Sequence, residues 1–241
     1  MLSYLFVLFV GLGAGLVGGL LGTGSSIILL PILVYTFGPK QAVPIMAVAA
    51  VMGNLARVLA WWRLVDWRAF LAYSVTGVPA AILGARTLLA LPPHWIDVCL
   101  GLFFLGMIPV RHWLMAHRYR IRLWQLSVAG AAIGYLTGVV LSTGPLSVPA
   151  FTSYGLIKGA FISTEAACSL LLYIAKVLTF GSSGALPPPV FAKGLLVGAS
   201  LMGGTFLGKI VMMKLNERVF QRLLDVVLLC SGLALLRAAL V

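Results

Sequence analysis

The chain has very few charged residues for its length. Of its 241 residues, 9% are charged and 61% are hydrophobic, whereas about a quarter of a soluble globular protein is charged. This composition excludes a water-exposed globular domain. Several apolar stretches reach the roughly 20 residues that a helix needs to cross a bilayer. The sequence therefore predicts an all-α polytopic membrane protein.

Signatures of catalysis are also scarce. The three histidines, His94, His112 and His117, lie in loops, so none can serve as the general base of a serine nucleophile at membrane depth. The cysteines stand singly, without CxxC spacing. The metal-binding HExxH and phosphate-binding GxxxxGKS patterns do not occur. We therefore expect no enzymatic activity, no metal site and no cofactor.

The net charge of +12 favours a membrane over a nucleic acid as the partner, because lysine and arginine collect in the short cytoplasmic loops of membrane proteins. The first apolar segment has no basic region before it and no small-residue cleavage site after it. It is expected to be a retained span and not a signal peptide. The sequence thus predicts a multi-pass protein of the cell (inner) membrane, surrounded by lipid. It leaves open whether the chain forms a homo-oligomer.

Ten apolar segments can be drawn, five in each half of the chain. They cover residues 3–21, 25–37, 43–62, 67–89 and 95–110, then 124–141, 145–157, 161–180, 190–213 and 219–240. The second segment of each half is about 13 residues long, which is roughly 20 Å of helix and too short to span a bilayer. Each half is therefore predicted to contain a broken or re-entrant helix pair and three spanning helices.

The two halves resemble each other in sequence. At matching places stand Thr23-Gly24 and Thr143-Gly144, Pro31 and Pro149, and Gly84 and Gly208. We expect a first transmembrane repeat at 1–110, a basic cytoplasmic connector at 111–123 and a second repeat at 124–241. An odd number of membrane elements per half keeps most basic residues cytoplasmic, so the repeats are predicted to be inverted, with both termini outside.

Glycine and hydroxyl residues interrupt the apolar run near the start of each half. Backbone N–H groups at the start of the following half-helix lack helical partners, and together with the helix dipole they favour an anion. We predict that hydroxyl donors and closely approaching backbone at these breaks bind the substrate: Thr23, Gly24, Ser25, Ser26, Ser142, Thr143 and Gly144. The alternative is that small residues only allow helices to pack closely, which is the preferred interpretation for Gly11, Gly15, Gly18 and Gly19.

Four polar residues inside the apolar segments are further candidates, because a charge at membrane depth is costly and usually paired or functional. Arg57 and Lys176, at corresponding places in the two halves, either face a cavity and attract the anion or snorkel to the surface. The nearby Arg63 favours snorkelling for Arg57. Asn54 fits a hydrogen bond across helices or to substrate. Glu165 fits two roles equally, a carrier of a coupled proton or an interfacial residue.

The glycine-rich segment GLVGGLLGTGSSIILLP, the turn Arg63-Leu64-Val65-Asp66-Trp67 and the patches GVPAAILGA and GASLMGGTFLG resemble the TauE/SafE sulfite exporter family. The resemblance covers essentially the whole chain. It implies a permease that moves sulfite, sulfoacetate and other small organosulfur anions against the proton-motive force. The chain has Ser25-Ser26 where many members carry glycines, and Pro145 at the matching place of the second half. These departures leave the identity of the anion open.

These features together predict a secondary transporter that exports a small anion, sulfite or an organosulfonate. Its site is expected near the membrane midplane, between the two halves, which expose it alternately to the two sides. Two kinds of alternative stay open from the sequence. One is an uptake permease or channel for another small anion. The other is a membrane-embedded enzyme or an assembly subunit.

Overall fold

Every regular element in the described part of the computed structural model is a helix. The structure describes residues 2–21, 25–92, 95, 98, 102–103, 105–106, 108–110, 112–113, 120–140, 143–211, 226, 229, 233 and 237.

The described helices follow the predicted apolar segments closely. They are α1 (Leu2–Leu21), α2 (Ser25–Phe37), α3 (Pro39–Trp61), a 3₁₀ turn (Trp62–Leu64), α4 (Trp67–Ala90), α5 (Leu123–Val140), α6 (Gly144–Tyr154), α7 (Lys158–Ser182) and α8 (Pro188–Val211). The described positions from 95 to 113 are also helical, as are 226, 229, 233 and 237. The predicted boundaries of the short helix after the first break, 25–37, are confirmed.

Five of the described helices are long and apolar enough to cross a membrane. They lie at Gln41–Leu64, Trp67–Ala90, Leu123–Val140, Gly159–Ser182 and Pro188–Gly208. Five tryptophans at segment ends are more than half exposed, as an interfacial belt requires: Trp62, Trp67, Trp95, Trp113 and Trp124. The prediction of an all-helical, polytopic membrane protein is confirmed.

The connections from the short helices α2 and α6 to the following long helices each contain one glycine with a positive φ. Gly38 has a φ of 76° and Gly155 a φ of 110°, a region that residues with a Cβ rarely adopt. After α6, the N–H of Leu156 donates to the carbonyl of Phe151, which closes the helix end in a Schellman arrangement. Both short helices therefore turn abruptly into the long helices α3 and α7.

Asp66 sets the entry into α4 after the 3₁₀ turn. Its carboxylate accepts hydrogen bonds from the backbone N–H groups of Arg68 and Ala69, both at 3.0 Å, and so caps the helix. The N–H of Asp66 itself donates to Oγ1 of Thr164 at 2.9 Å. This capping turn ties the end of α3 to the beginning of α7.

Helices α3 and α7 pack against each other at the centre of the fold and run antiparallel. The C-terminal part of α3 meets the N-terminal part of α7, where Arg57 contacts Glu165. At the opposite end, Val43 of α3 and Phe180 of α7 line one apolar cavity. The third helix of each half therefore runs antiparallel to the third helix of the other half.

Two further helix pairs pack through glycines spaced four residues apart. On α5, Gly130, Gly134 and Gly138 lie against the backbone of α4 at Tyr73, Gly77 and Ala81. On α1, Gly11 lies against Val197 and Ser200 of α8, while Gly15 and Gly19 lie against the α8 backbone at Leu201 and Thr205. Because glycine has no Cβ, the two backbones approach each other more closely than other residues allow.

These two interfaces match residue by residue. The contacting glycines of α1 and α5 occupy positions 119 apart, and their partners on α8 and α4 occupy positions 124 apart. These spacings fall in the range at which the two halves resemble each other in sequence. The same contacts thus recur in both halves, between the first helix of one half and the fourth helix of the other.

The glycine interfaces yield a stability prediction with a matched control on the same helix. At Gly15 an added Cβ meets the backbone of Leu201, whereas at Gly13 nothing lies within 4 Å. Gly15→Ala should lower the free energy of unfolding by about 1–3 kcal/mol, as overpacking does. Gly13→Ala should be neutral or stabilising, since alanine favours helix by about 1 kcal/mol over glycine.

The measurement is the melting temperature of each purified variant in the same detergent, determined from the fluorescence of its size-exclusion peak after heating. Equal melting temperatures for the two variants would contradict the close approach of α1 and α8.

Candidate functional site

A small polar cavity lies where α3 and α7 cross. Ala50, the middle residue of α3, and Ser169, next to the middle of α7, are both in its wall. The cavity has a free volume of about 30 Å³. Its lining comes from both halves: Gly18, Ser25, Ser26, Ala50, Gly53, Asn54, Arg57, Thr143, Gly144, Glu165, Ser169, Tyr173, Leu201 and Thr205.

The first residues of both short helices face this cavity. Ser25 and Ser26 begin α2, and Thr143 and Gly144 are the N-cap and first residue of α6. The Thr143 side chain makes no capping hydrogen bond to its own helix. Two N-terminal helix ends from different halves therefore meet at one point, as the sequence predicts. Three of the predicted residues, Thr23, Gly24 and Ser142, lie outside the described residues.

Arg57 is buried, at 8% exposure, and its guanidinium lines the cavity. Its Nη1 lies 3.0 Å from Oε2 of Glu165. Its Nη2 donates to Oδ1 of Asn54, whose Nδ2 donates to the carbonyl of Ala50 at 2.8 Å. The snorkelling interpretation of Arg57 is therefore wrong. The physical reason is that Glu165 provides a charge partner inside the protein.

Glu165 is also buried, at 3% exposure, and both of its oxygens are engaged. Besides Arg57 at Oε2, its Oε1 accepts hydrogen bonds from Ser147 at 3.1 Å and Ser169 at 2.9 Å. Glu165 is thus held between α3, α6 and α7. It is not an interfacial residue. Removing one partner of such a buried pair typically costs about 3–5 kcal/mol, because it leaves an uncompensated charge.

Lys176 occupies a different environment from Arg57, although the two correspond in the halves. Its Nζ donates to the carbonyl oxygens of Thr137, at 2.9 Å, and Gly138, in the last turn of α5. It also lies 5.4 Å from the centre of the Phe180 ring. Lys176 is fully buried and is absent from the cavity wall. It satisfies the carbonyl groups that the end of α5 leaves without helical partners.

Hydroxyl groups connect the helix breaks to their surroundings. Oγ1 of Thr137 in α5 is hydrogen-bonded to Oγ1 of Thr143 at the start of α6. The Tyr173 hydroxyl lies within hydrogen-bonding reach of the Ser26 side chain at the start of α2. Each break is thus held by a neighbouring long helix.

The structure brings together most of the described residues that the sequence singled out. Ser25, Ser26, Asn54, Arg57, Thr143, Gly144 and Glu165 all line one cavity. Of the glycines assigned to packing, Gly11, Gly15 and Gly19 do contact α8, which confirms that interpretation. Gly18 lies against Ser25 and reaches the cavity wall.

Sequence reasoning missed four polar residues around the cavity: Ser147, Ser169, Tyr173 and Thr205. One signal could have found Ser169. It lies four residues after Glu165, and residues four apart share a helix face. Ser147 and Thr205 come from other helices, and nothing in the sequence pattern places them beside this face.

Comparison with known proteins gives one finding. The family model described as "Sulfite exporter TauE/SafE" matches residues 7–235, nearly the whole chain. No curated protein and no solved structure shows a significant match. The match covers both helix breaks and the long helices that surround the cavity. The chain therefore belongs to the TauE/SafE sulfite exporter family of membrane transporters.

Proposed function

We propose that this chain is a secondary transporter of the cell membrane that exports a small anion, sulfite or an organosulfonate. The anion binds in the central cavity, between the N-terminal ends of α2 and α6. The chain carries out no chemical reaction on it. Family membership supports transport of this class of solute, and the geometry of the cavity supports the position of the site.

One observation carries the proposal: two helix N-termini converge on a buried polar cavity. Both N-termini present the positive end of a helix dipole, and the start of α2 presents backbone N–H donors. At the start of α6 the available donor is the N–H of Gly144, because Pro145 has no N–H and the N–H of Leu146 donates to the carbonyl of Thr143.

The hydroxyls of Ser25 and Ser26 add donors suited to the oxygens of a sulfur oxyanion. The Thr143 hydroxyl donates to Thr137, which itself donates to the carbonyl of Ile133, and so holds the start of α6 in place. Arg57 contributes a guanidinium, a planar donor that binds oxyanions through paired hydrogen bonds.

The small size of the cavity supports an alternating mechanism. A free volume of about 30 Å³ has room for one or two water molecules, which is too little for sulfite with its hydration shell. The helices around the site must therefore move apart when the anion enters. A transporter that exposes one site to each side in turn requires such a movement.

The repeated helix contacts support an inverted repeat. Matched glycine contacts relate α1 and α8 to α5 and α4, and the corresponding long helices α3 and α7 run antiparallel. A two-fold axis that relates antiparallel spanning helices lies in the membrane plane. In this arrangement the two halves can exchange conformations, which opens the site first to one side and then to the other.

The hydroxyl donors provide the test of the site. In liposomes, Ser25→Ala, Ser26→Ala and Thr143→Ala combined should reduce sulfite or sulfoacetate flux at least tenfold. A hydrogen bond to a charged group contributes about 1.5–3 kcal/mol, and several are lost together. The matched control is Thr36→Ala with Thr152→Ala. These hydroxyls lie at the far ends of the same short helices and bond carbonyls of their own helix.

Because Ser26 and Thr143 also hold the helix breaks, flux is compared per folded transporter, with the folded fraction measured by size-exclusion chromatography below both melting temperatures, so that a lost flux reports binding and not folding. Undiminished flux in the triple variant would refute the proposed position of the site. If wild-type protein moves no sulfur anion at all, the transport function itself is wrong.

Orientation is tested by cysteine labelling of intact cells, in a variant whose native cysteines are replaced. Ser183, in the exposed loop after α7, should be reached by a membrane-impermeant maleimide from outside once it is changed to cysteine. Leu64, at the exposed turn after α3, should react only after permeabilisation. Labelling of both positions from the same side would contradict the antiparallel arrangement of α3 and α7.

A further inference from the structure

We infer that the site carries one proton together with each monovalent anion, in the same direction, because Glu165 and the anion compete for Arg57. The inference rests on the proposed function and adds its mode of coupling. It predicts obligatory co-transport and excludes both a free anion uniport and an exchange of proton against anion.

The empty site is electrically balanced. Arg57 and Glu165 form the one ion pair found among the described residues, and both line the cavity. Oε1 and Oε2 of Glu165 accept hydrogen bonds from Ser147, Ser169 and Arg57. A buried pair of this kind has no net charge, so the empty carrier can close and change conformation without burying an uncompensated ion.

An arriving anion disturbs this balance. Nη1 of Arg57 donates to Glu165 and Nη2 donates to Asn54, which leaves three of the five N–H donors of the guanidinium for an oxyanion. An oxyanion that binds there places a second negative charge on the cation that Glu165 already neutralises. If Glu165 stayed ionised, two negative groups would then share one cation in a buried cavity, which is strongly unfavourable. Protonation of Glu165 from solvent removes this conflict and restores a neutral site.

No other described group near Glu165 can take over this role. From α3 the facing charged group is Arg57 itself, and from α4 the facing titratable group is the neutral phenol of Tyr73. On α7 the neighbouring titratable groups are Cys168 and Tyr173, and α6 contributes the hydroxyl of Ser147. The nearest described carboxylate beyond this shell, Asp66, caps α4 through two backbone N–H groups. Within the described cavity wall Glu165 is therefore the single carboxylate.

The site therefore has two electrically neutral states, and the carrier changes conformation easily only in these two states. One is the empty site with Arg57 paired to ionised Glu165. The other holds the anion on Arg57 beside protonated Glu165. The proton leaves Glu165 for solvent when the anion leaves, and the ion pair forms again. For a monovalent anion the transport cycle moves no net charge, so the membrane potential does not drive it, and an acidic exterior opposes export.

The first measurement uses wild-type protein in liposomes with pyranine inside and either sulfite or isethionate as the probe anion. Isethionate, a sulfonate, keeps one negative charge across the range in which carboxyl groups titrate. Its uptake should acidify the interior, with one proton per anion. A potassium diffusion potential set with valinomycin should leave the uptake rate unchanged.

The second measurement compares Glu165→Gln with the matched control Asp66→Asn, which also removes one carboxylate but retains a helix-capping side chain. In wild type and in Asp66→Asn, the affinity for isethionate should fall about tenfold per pH unit once Glu165 is ionised, since one proton is linked to each anion. In Glu165→Gln the affinity should not depend on pH. Exchange of anion for anion should persist in this variant, while electroneutral net flux should be lost.

Each outcome decides the matter. Anion flux that follows the imposed potential and moves no proton overturns co-transport but leaves the proposed function standing. A pH dependence that survives in Glu165→Gln assigns the proton to another group and also overturns the inference. Absence of any flux or binding by wild type with both probes removes the proposed function and the coupling together. If Glu165→Gln does not fold, the wild-type proton count and the response to potential still decide.

Discussion

The fold depends on one constraint: a helix that ends at membrane depth leaves backbone groups that lipid cannot satisfy. Each half of this chain contains a helix break, between α1 and α2 and between α5 and α6, which the proposed function places at such a depth. At the end of α5 the free carbonyls of Thr137 and Gly138 accept hydrogen bonds from Lys176, and the side chains of Thr137 and Thr143 bond to each other across the break. Two of the carbonyl acceptors at this break are therefore satisfied by a side chain of the protein.

The donors at the other side of each break are placed differently. The helix starts at Ser25 and at Thr143–Gly144 face the central cavity, where donors and dipole ends favour an anion. The break between α5 and α6 thus has a structural contact at its carbonyl side and faces the cavity at its N–H side. Under the proposed function, the N–H side binds the anion while the carbonyl side stabilises the fold.

The close glycine contacts keep this arrangement in position. Because α1 packs on α8 and α5 packs on α4 through backbone contacts at Gly15 and Gly134, the helix before each break is joined to the fourth helix of the other half.

Much of the fold could be predicted from the sequence. Apolar segments, short second helices and the glycine-hydroxyl breaks are local features, and the described helices follow them. The pairing of Arg57 with Glu165 could not be predicted, because the two residues lie 108 positions apart and meet only through the antiparallel crossing of α3 and α7. Ser147 joins them from a third helix, which no periodicity within one segment reveals.

The two buried cations at corresponding places in the halves have different surroundings. Of Arg57 and Lys176, Arg57 lines the cavity and Lys176 does not. The difference lies in their partners. Met46, a buried apolar residue, occupies the position in the first half that corresponds to Glu165. The carboxylate therefore occurs in one half only.

Because of this single carboxylate, the two buried cations differ: Lys176 has permanent partners, whereas the partner of Arg57 can change. Lys176 is bound to backbone carbonyls, which neither titrate nor leave, so its contacts can persist through a transport cycle. Arg57 is bound to a group that loses its charge when it takes up a proton, so its contact can be given up to an anion. A duplicated scaffold with identical partners in both halves would hold two fixed cations or two exchangeable ones. In the proposed mechanism, the asymmetry at Glu165 is therefore the feature that provides a single place for an anion and a proton to bind together.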